Sequence, residues 1–386
     1  ETLPSGRVDH TVVFEQCKSH NNYVDVKEGR IQISVTVSGD TVSAILPKFK
    51  VPEGFERRYE GMRSLNNAIA LGAWVAIVCI YGVTILTAIF SLLKNGSLIW
   101  RPALNTSIVV AAMLTGAMIN GYPLIFMEYD TALSLSQQNA QFLLSAVVSM
   151  AFYLIILFLS FSAAEGLGRS TYGSHVQLWR CLDRNVLNST TMMQHILLGY
   201  LLVPIMFAYE VTFYFANQKL FGWWTPSSPL VDPDVAATWV PWVSPVATAV
   251  FAGFWEEAVF RAVPLAQASL WSRGWSPARR WAAGAAAMLV QAIIFGAGHA
   301  NYPAQPSYAR LVELVVPSIL FGVLYAYYGL VPGVVMHVIY DLVWMALPLF
   351  LSNHASAHTD RAIVILLGIA PLLLPLLLFL RSGCHA

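Results

Sequence analysis

Phe254-Trp255-Glu256-Glu257-Ala258-Val259-Phe260-Arg261 sets three ionisable side chains within six positions of a run that is apolar on both sides. At the centre of a membrane helix a charged side chain costs about 2.5–3.5 kcal/mol or more unless it faces a cavity or a partner. The stretch therefore predicts a membrane helix whose polar face turns into a bundle, around groups kept for chemistry rather than packing.

The rest of the chain supports a membrane setting. Of its 386 residues 57% are hydrophobic and only 11% charged, and the mean hydropathy is +0.60, well outside the range of a soluble globular domain. Apolar stretches long enough to cross hydrocarbon recur at residues 65–93, 103–124, 142–162, 195–216, 240–265, 281–299, 311–328, 333–351 and 362–380. The expected fold class is all-α: a polytopic helical membrane bundle of about nine transmembrane helices with a small N-terminal β-containing segment.

Basic residues set the expected orientation. Lys94, Arg101, Arg169, Arg180, Arg184, Arg273, Arg279, Arg280 and Arg381 fall on one side of these spans, against Lys219, Arg310 and Arg361 on the other. The positive-inside rule then puts the N-terminus in the extracytoplasmic space and the C-terminus in the cytoplasm, and a bacterial inner membrane is expected. The chain begins at Glu1 without a methionine; a removed signal peptide, a longer precursor or a trimmed chain accounts for a polar segment placed outside. A formal charge of +1 without a long basic run gives no reason to expect a nucleic-acid partner. Cys17, Cys79, Cys181 and Cys384 lack metal-type or redox-type spacing.

Four regions are expected: an extracytoplasmic, partly β segment at 1–63, an N-terminal four-helix membrane region at 64–240, the helices that hold the candidate site at 241–352, and a loop with a last helix at 353–386. In the first, Arg30 to Val37 alternates with period two, Ser38-Gly39-Asp40 is a turn signal, and Thr41 to Leu46 is the returning strand.

Helical spacing sorts the polar groups of the opening stretch. Positions i and i+4 share a face whereas i and i+1 do not, so Glu257 and Arg261 form the pair that neutralises itself and Glu256 is left as the free carboxylate. Phe260 lies one turn from it. A helix–helix polar contact is the plainer alternative, but it needs no extra acid. Phe295-Gly296-Ala297-Gly298-His299 is the second polar intrusion, at the end of an apolar span. Arg273 to Arg280, with Gly274 and Ser276-Pro277, reads as a hairpin turn centred near 277; Glu256 lies 21 residues before that centre and His299 22 after it, at nearly equal depth. The third is His337-Val338-Ile339-Tyr340-Asp341, a histidine and an acid at i,i+4. By helical rise His337 is expected on the order of 15 Å from the level of His299 unless helices are tilted or broken.

Together, Glu256-Glu257-x-x-x-Arg261, Phe295-x-x-x-His299 and His337-x-x-x-Asp341, in that order on successive spans over roughly residues 245–350, resemble the CAAX-protease and bacteriocin-processing (CPBP) family of intramembrane proteases, related to the type II CAAX prenyl endopeptidase. The resemblance implies an endopeptidase acting on a protein or peptide substrate without a metal. Glu256 and His299 would activate water and His337, with Asp341, would hold the oxyanion, while Glu257, Arg261, Phe260 and Phe295 support them. Asp341 departs from the asparagine frequent in the family, and an ionised aspartate cannot donate to an oxyanion, so it either carries a proton or only orients His337. Alternatives from the residues alone are a non-catalytic scaffold or immunity protein, a proton-coupled transporter, and a zinc peptidase with His299, His337 and Glu256 as ligands.

His354 and His358, near Asp360, have metal-compatible spacing in a polar loop. Glu165 to Arg184 reads as an interfacial stretch or a docking segment, and Trp223, Trp224, Trp239 and Trp242 as an aromatic belt.

Overall fold

The computed structural model describes residues 2–3, 6–16, 29–127, 129–130, 132–181, 183–225 and 232–383, so Cys17 and Cys384 lie outside the described residues. The chain forms two compact units, one of residues Glu1–Leu65 with Met127–Leu143, the other of Asn66–Phe126 with Leu144–Ala386.

The first unit holds a three-stranded antiparallel sheet in the order β1 (Asp9–Glu15), β2 (Arg30–Ser38), β3 (Thr41–Lys50). The β2–β3 hairpin is the one its alternation predicts, and it closes with Ser38 opposite Thr41. Gly39 at φ +65° supplies the left-handed turn residue. The partner strand β1 was not foreseen; it pairs along β2 from Asp9 opposite Ser38 to Glu15 opposite Gln32.

The helices follow in order. α1 (Glu53–Ala76) passes through a π-helical turn at Ile77–Gly82 into α2 (Val83–Lys94), and α3 (Trp100–Asn120), α4 (Leu135–Thr171), a short α5 (Arg184–Leu187) and α6 (Thr190–Phe221) come next. α7 (Val243–Glu256) passes through a second π turn, Glu257–Ala262, into α8 (Val263–Trp271). α9 (Pro277–Gly298), α10 (Ala309–Tyr328), α11 (Leu330–Met345), a short α12 (Leu347–Leu351) and α13 (Ala357–Gly383) complete the chain. Among the described residues six helical segments are long and apolar enough to cross a membrane: Glu53–Lys94, Trp100–Asn120, Leu135–Thr171, Thr190–Phe221, Pro277–Gly298 and Ala309–Tyr328, with Leu330–Met345 as a shorter apolar helix. The protein is an integral, multi-pass helical membrane protein. The count of nine spans is not confirmed: the α7–α8 run carries three ionisable residues, α11 has only 16 residues, and α13 is not among the six.

Local sequence explains the punctuation. Ser189 caps α6 by accepting from the Met192 amide at 3.2 Å. Pro277 opens α9 after the 273–276 turn, as its fixed φ favours. α10 and α11 are separated by Gly329 alone, at φ +81°.

Close helix approach places the site. A Cβ on Gly253 of α7 would stand 2.4 Å from Val338 Cγ2 and 3.0 Å from the Val338 amide on α11. That glycine sits one turn before Glu256, and Val338 follows His337. Gly253→Val is expected to force the two helices apart at a cost of about 1–3 kcal/mol, as overpacking does. Denaturation in detergent measures it, and an unchanged midpoint would show that the approach carries no strain.

Candidate active site

The first acid and its partners come from four helical elements. Glu256 is the last residue of α7, Glu257 and Arg261 lie in the π turn, His299 caps the C-terminus of α9, and His337 and Asp341 are one turn apart on α11. π turns are recurrent at functional sites because the extra residue re-aims side chains. Here the turn widens the spacing of the expected i,i+4 pair: Arg261 Nε is 3.6 Å from Glu257 Oε2, an ion pair but not a hydrogen bond.

The two adjacent acids divide as their faces require. Glu257 is 1% exposed and Arg261 0%, whereas Glu256 is 16% and His299 25% exposed, so Glu256 is the more open of the two acids. Glu256 Oε2 lies 4.0 Å from His299 Nε2 and 3.6 Å from His337 Nε2. Both imidazoles thus meet at one carboxylate oxygen, and the 15 Å offset reckoned from helical rise does not hold. That reckoning took straight, regular spans, whereas the α7–α8 run breaks at a π turn and α10 carries Pro317 within it.

Each imidazole is oriented by its other nitrogen. His299 Nδ1 is 2.8 Å from the Phe295 carbonyl oxygen, which only accepts, so Nδ1 carries the proton and Nε2 faces Glu256 as an acceptor. His337 Nδ1 is 2.9 Å from Glu257 Oε1 and donates to it. Its Nε2 then faces Glu256 and Asp341, whose Oδ2 is 3.6 Å away. Glu257 therefore does more than neutralise Arg261: it, rather than Asp341, fixes the His337 ring. The 80-residue separation of that pair left no trace in helical spacing.

Aromatic rings wall the buried side. The Arg261 guanidinium lies 4.2 Å from the Phe295 ring centroid and 5.1 Å from that of Phe321. None of its three nitrogens donates a hydrogen bond among the described residues, so Glu257 and these ring faces are its compensation. Phe260 meets Phe295 edge to face at 5.1 Å and, on its other side, Tyr81 at 5.5 Å. Tyr81 belongs to the first π turn, so the two irregular turns pack on each other.

A cavity of about 320 Å³ opens beside Asp341, lined also by Glu210, Tyr302, Arg310, Tyr340 and Trp344. Its wall holds a network absent from the sequence reading. Arg310 donates to both oxygens of Glu313 at 2.6 and 2.7 Å, and lies 3.8 Å from Glu210. Tyr340 donates to Glu210 and Tyr214 to Glu313. Arg310 is thus not the free loop charge of the orientation count but a buried partner in α10. Carboxylates inside apolar spans, Glu210 and Glu313, were the signal that could have found it. A second cavity, of about 420 Å³, is lined by Val250, Phe254, Val338, Leu342 and other apolar residues, with no carboxylate or imidazole.

Among the described residues no group of three His, Cys, Asp or Glu side chains is arranged to hold a metal ion. His354 commits both ring nitrogens, to Ser352 Oγ and Asp360 Oδ2, each at 2.9 Å, and knits its loop. Between α4 and α6, burial pushes the Cys181 thiol up to about 12, in keeping with an unreactive cysteine.

Residues 238–343 match one protein-family model, described as type II CAAX prenyl endopeptidase Rce1-like. The matched segment contains Glu256, Glu257, Arg261, Phe295, His299, His337 and Asp341, and leaves out α1 to α6. No curated protein and no solved structure matches the chain.

Proposed function

We propose, from the match of residues 238–343 to the type II CAAX prenyl endopeptidase Rce1-like model, that the chain is an intramembrane endopeptidase that hydrolyses a peptide bond of a protein or peptide substrate by activating water. The observation that carries this reading is the approach of His299 and His337 to Glu256 Oε2, at 4.0 and 3.6 Å, on the more open side of a buried Glu257–Arg261 pair.

The gap between Glu256 Oε2 and His299 Nε2 is too long for a direct hydrogen bond and suits one bridging water. Both groups accept, so each takes one hydrogen of that water and its oxygen lone pair is left towards the substrate. Glu256 removes the proton as the oxygen attacks the scissile carbonyl. The carbonyl oxygen, becoming an oxyanion, faces a protonated His337 Nε2, whose ring Glu257 holds from behind. Collapse of the tetrahedral adduct breaks the C–N bond, and Glu256 returns the proton to the leaving amine. The cavity beside Asp341 provides the space for polypeptide on one side of the reacting bond.

Asp341 sits beside His337 without a hydrogen bond to it, so it tunes the site rather than building it. Asp341→Asn is expected to keep activity within about tenfold of the parent, the scale of one modest hydrogen bond. Loss of activity comparable to that of a Glu256 substitution would assign Asp341 a proton-carrying role.

The reading is tested by reconstituting the protein in liposomes with a mixture of peptides and identifying products by mass spectrometry. Defined cleavage products that disappear with Glu256→Gln are expected. Intact peptides throughout would favour a scaffold that retains this polar core.

A further inference from the structure

One buried amide outside the family segment holds the loop that follows His299. Asn66, on α1, is 0% exposed. Its Nδ2 lies 2.9 Å from the Ala300 carbonyl oxygen, 3.2 Å from those of Ala304 and Ser307 and 3.3 Å from that of Tyr302. Its Oδ1 accepts from Gln305 Nε2 at 2.7 Å. An amide nitrogen carries two protons, so four carbonyls share them in bifurcated bonds. The loop thereby folds around a single side chain, and the segment just after α6 pins it from elsewhere through the paired backbones of Trp224 and Gln305.

What this loop carries is the reacting edge of the site. It starts at His299, whose backbone ends α9 and whose Nε2 faces Glu256. Tyr302 lies nearly parallel to the His299 ring, 6.3 Å between centroids, and under the Arg310 guanidinium at 5.0 Å. Tyr302 also lines the cavity beside Asp341. A shift of the 300–307 backbone moves both the imidazole that orients water and the ring beside the substrate space.

We infer that Asn66 is a positioning residue for hydrolysis: its side-chain amide gathers the 300–307 carbonyls and so fixes His299 Nε2 relative to Glu256. Leucine is close to asparagine in size and has no donor, so Asn66→Leu frees the loop while keeping the core filled. The catalytic half of this inference rests on the peptidase reading above; the structural half does not.

Two measurements on the full-length protein in liposomes test it. In the kinetics of Asn66→Leu, kcat is expected to fall about tenfold to a hundredfold, the scale of a displacement near one ångström, with KM within about twofold of the parent since the loss falls on the reacting geometry. In hydrogen exchange, amides of residues 299–308 are expected to exchange faster in Asn66→Leu, with α7 and α11 unchanged. A kcat within about twofold of the parent, or unchanged loop exchange, overturns the inference. Should Asn66→Leu fail to fold, Asn66→Ser keeps a polar group too short to reach the four carbonyls, and faster loop exchange is again expected; unchanged exchange there overturns the clamp. Absence of cleavage by the wild type would sink the peptidase reading and the catalytic half with it, while the exchange difference still decides whether Asn66 holds the loop.

Discussion

Replacing Glu256 with glutamine is expected to lower kcat for peptide hydrolysis by about 10²–10⁴, the contribution of a positioned general base, while leaving the protein folded. Glutamine keeps the length and bulk of the side chain but accepts no proton at physiological pH. Glu256 is the more exposed of the two adjacent acids and accepts no hydrogen bond from a described residue within the site, so little native structure depends on its charge. His299 and His337 still surround the position, and substrate binding should change far less than turnover. The check is single-turnover kinetics beside a denaturation curve. A Glu256→Gln protein that cleaves at a parental rate removes the base from the mechanism.

The largest effect on stability is expected one residue further on. Glu257→Leu leaves the fully buried Arg261 without its counter-charge, and breaking such a pair on one side costs about 3–5 kcal/mol. The same substitution strips His337 Nδ1 of its acceptor at 2.9 Å. Because Arg261 makes no hydrogen bond with its guanidinium nitrogens among the described residues, replacing it as well removes the uncompensated charge rather than a web of bonds. The double variant Glu257→Leu/Arg261→Met should therefore regain most of the lost stability, as apolar replacement of buried pairs commonly does. It should nonetheless stay poorly active, since His337 remains unheld. Equilibrium unfolding of the two variants, followed by peptide hydrolysis, separates the structural role of the pair from its role in orienting the imidazole. Equal destabilisation of single and double variants would mean that the aromatic walls, not Glu257, carry Arg261.

Much of this candidate site is legible in the sequence, for definable reasons. Ionisable residues inside apolar runs are costly, so Glu256, Glu257, Arg261, His299, His337 and Asp341 marked themselves. Helical phase separated Glu256 from Glu257, and the 273–276 turn put Glu256 and His299 at matching depth. Period-two alternation with Gly39 at the turn gave the β2–β3 hairpin. What escaped the sequence were relations between elements. Phase and depth give a side chain a face and a level, but not the neighbouring helix on which that face closes. The Glu257–His337 bond joins residues 80 positions apart, and Asn66 reaches carbonyls more than 230 positions away. Carbonyls carry no residue signature, so an asparagine that binds only backbone looks like any polar residue near a helix start. The π turns at Ile77–Gly82 and Glu257–Ala262 escaped for a different cause: their sequences have ordinary helix-forming character, and nothing in them marks that Tyr81 of one meets Phe260 of the other. The Arg310 network is hidden because a lone arginine at a span boundary reads as a loop charge, although Glu210 and Glu313 lie in helices beside it as its partners.

The direct attack of water beside Glu256 is best tested by a single turnover of the reconstituted protein in H₂¹⁸O containing hydroxylamine, with mass analysis of the product that keeps the new C-terminus. Water activated by Glu256 and His299 predicts one ¹⁸O in that carboxylate and no hydroxamate. A hydroxamate, or a peptidyl adduct on the protein, would show that a side chain attacks first and would contradict the account.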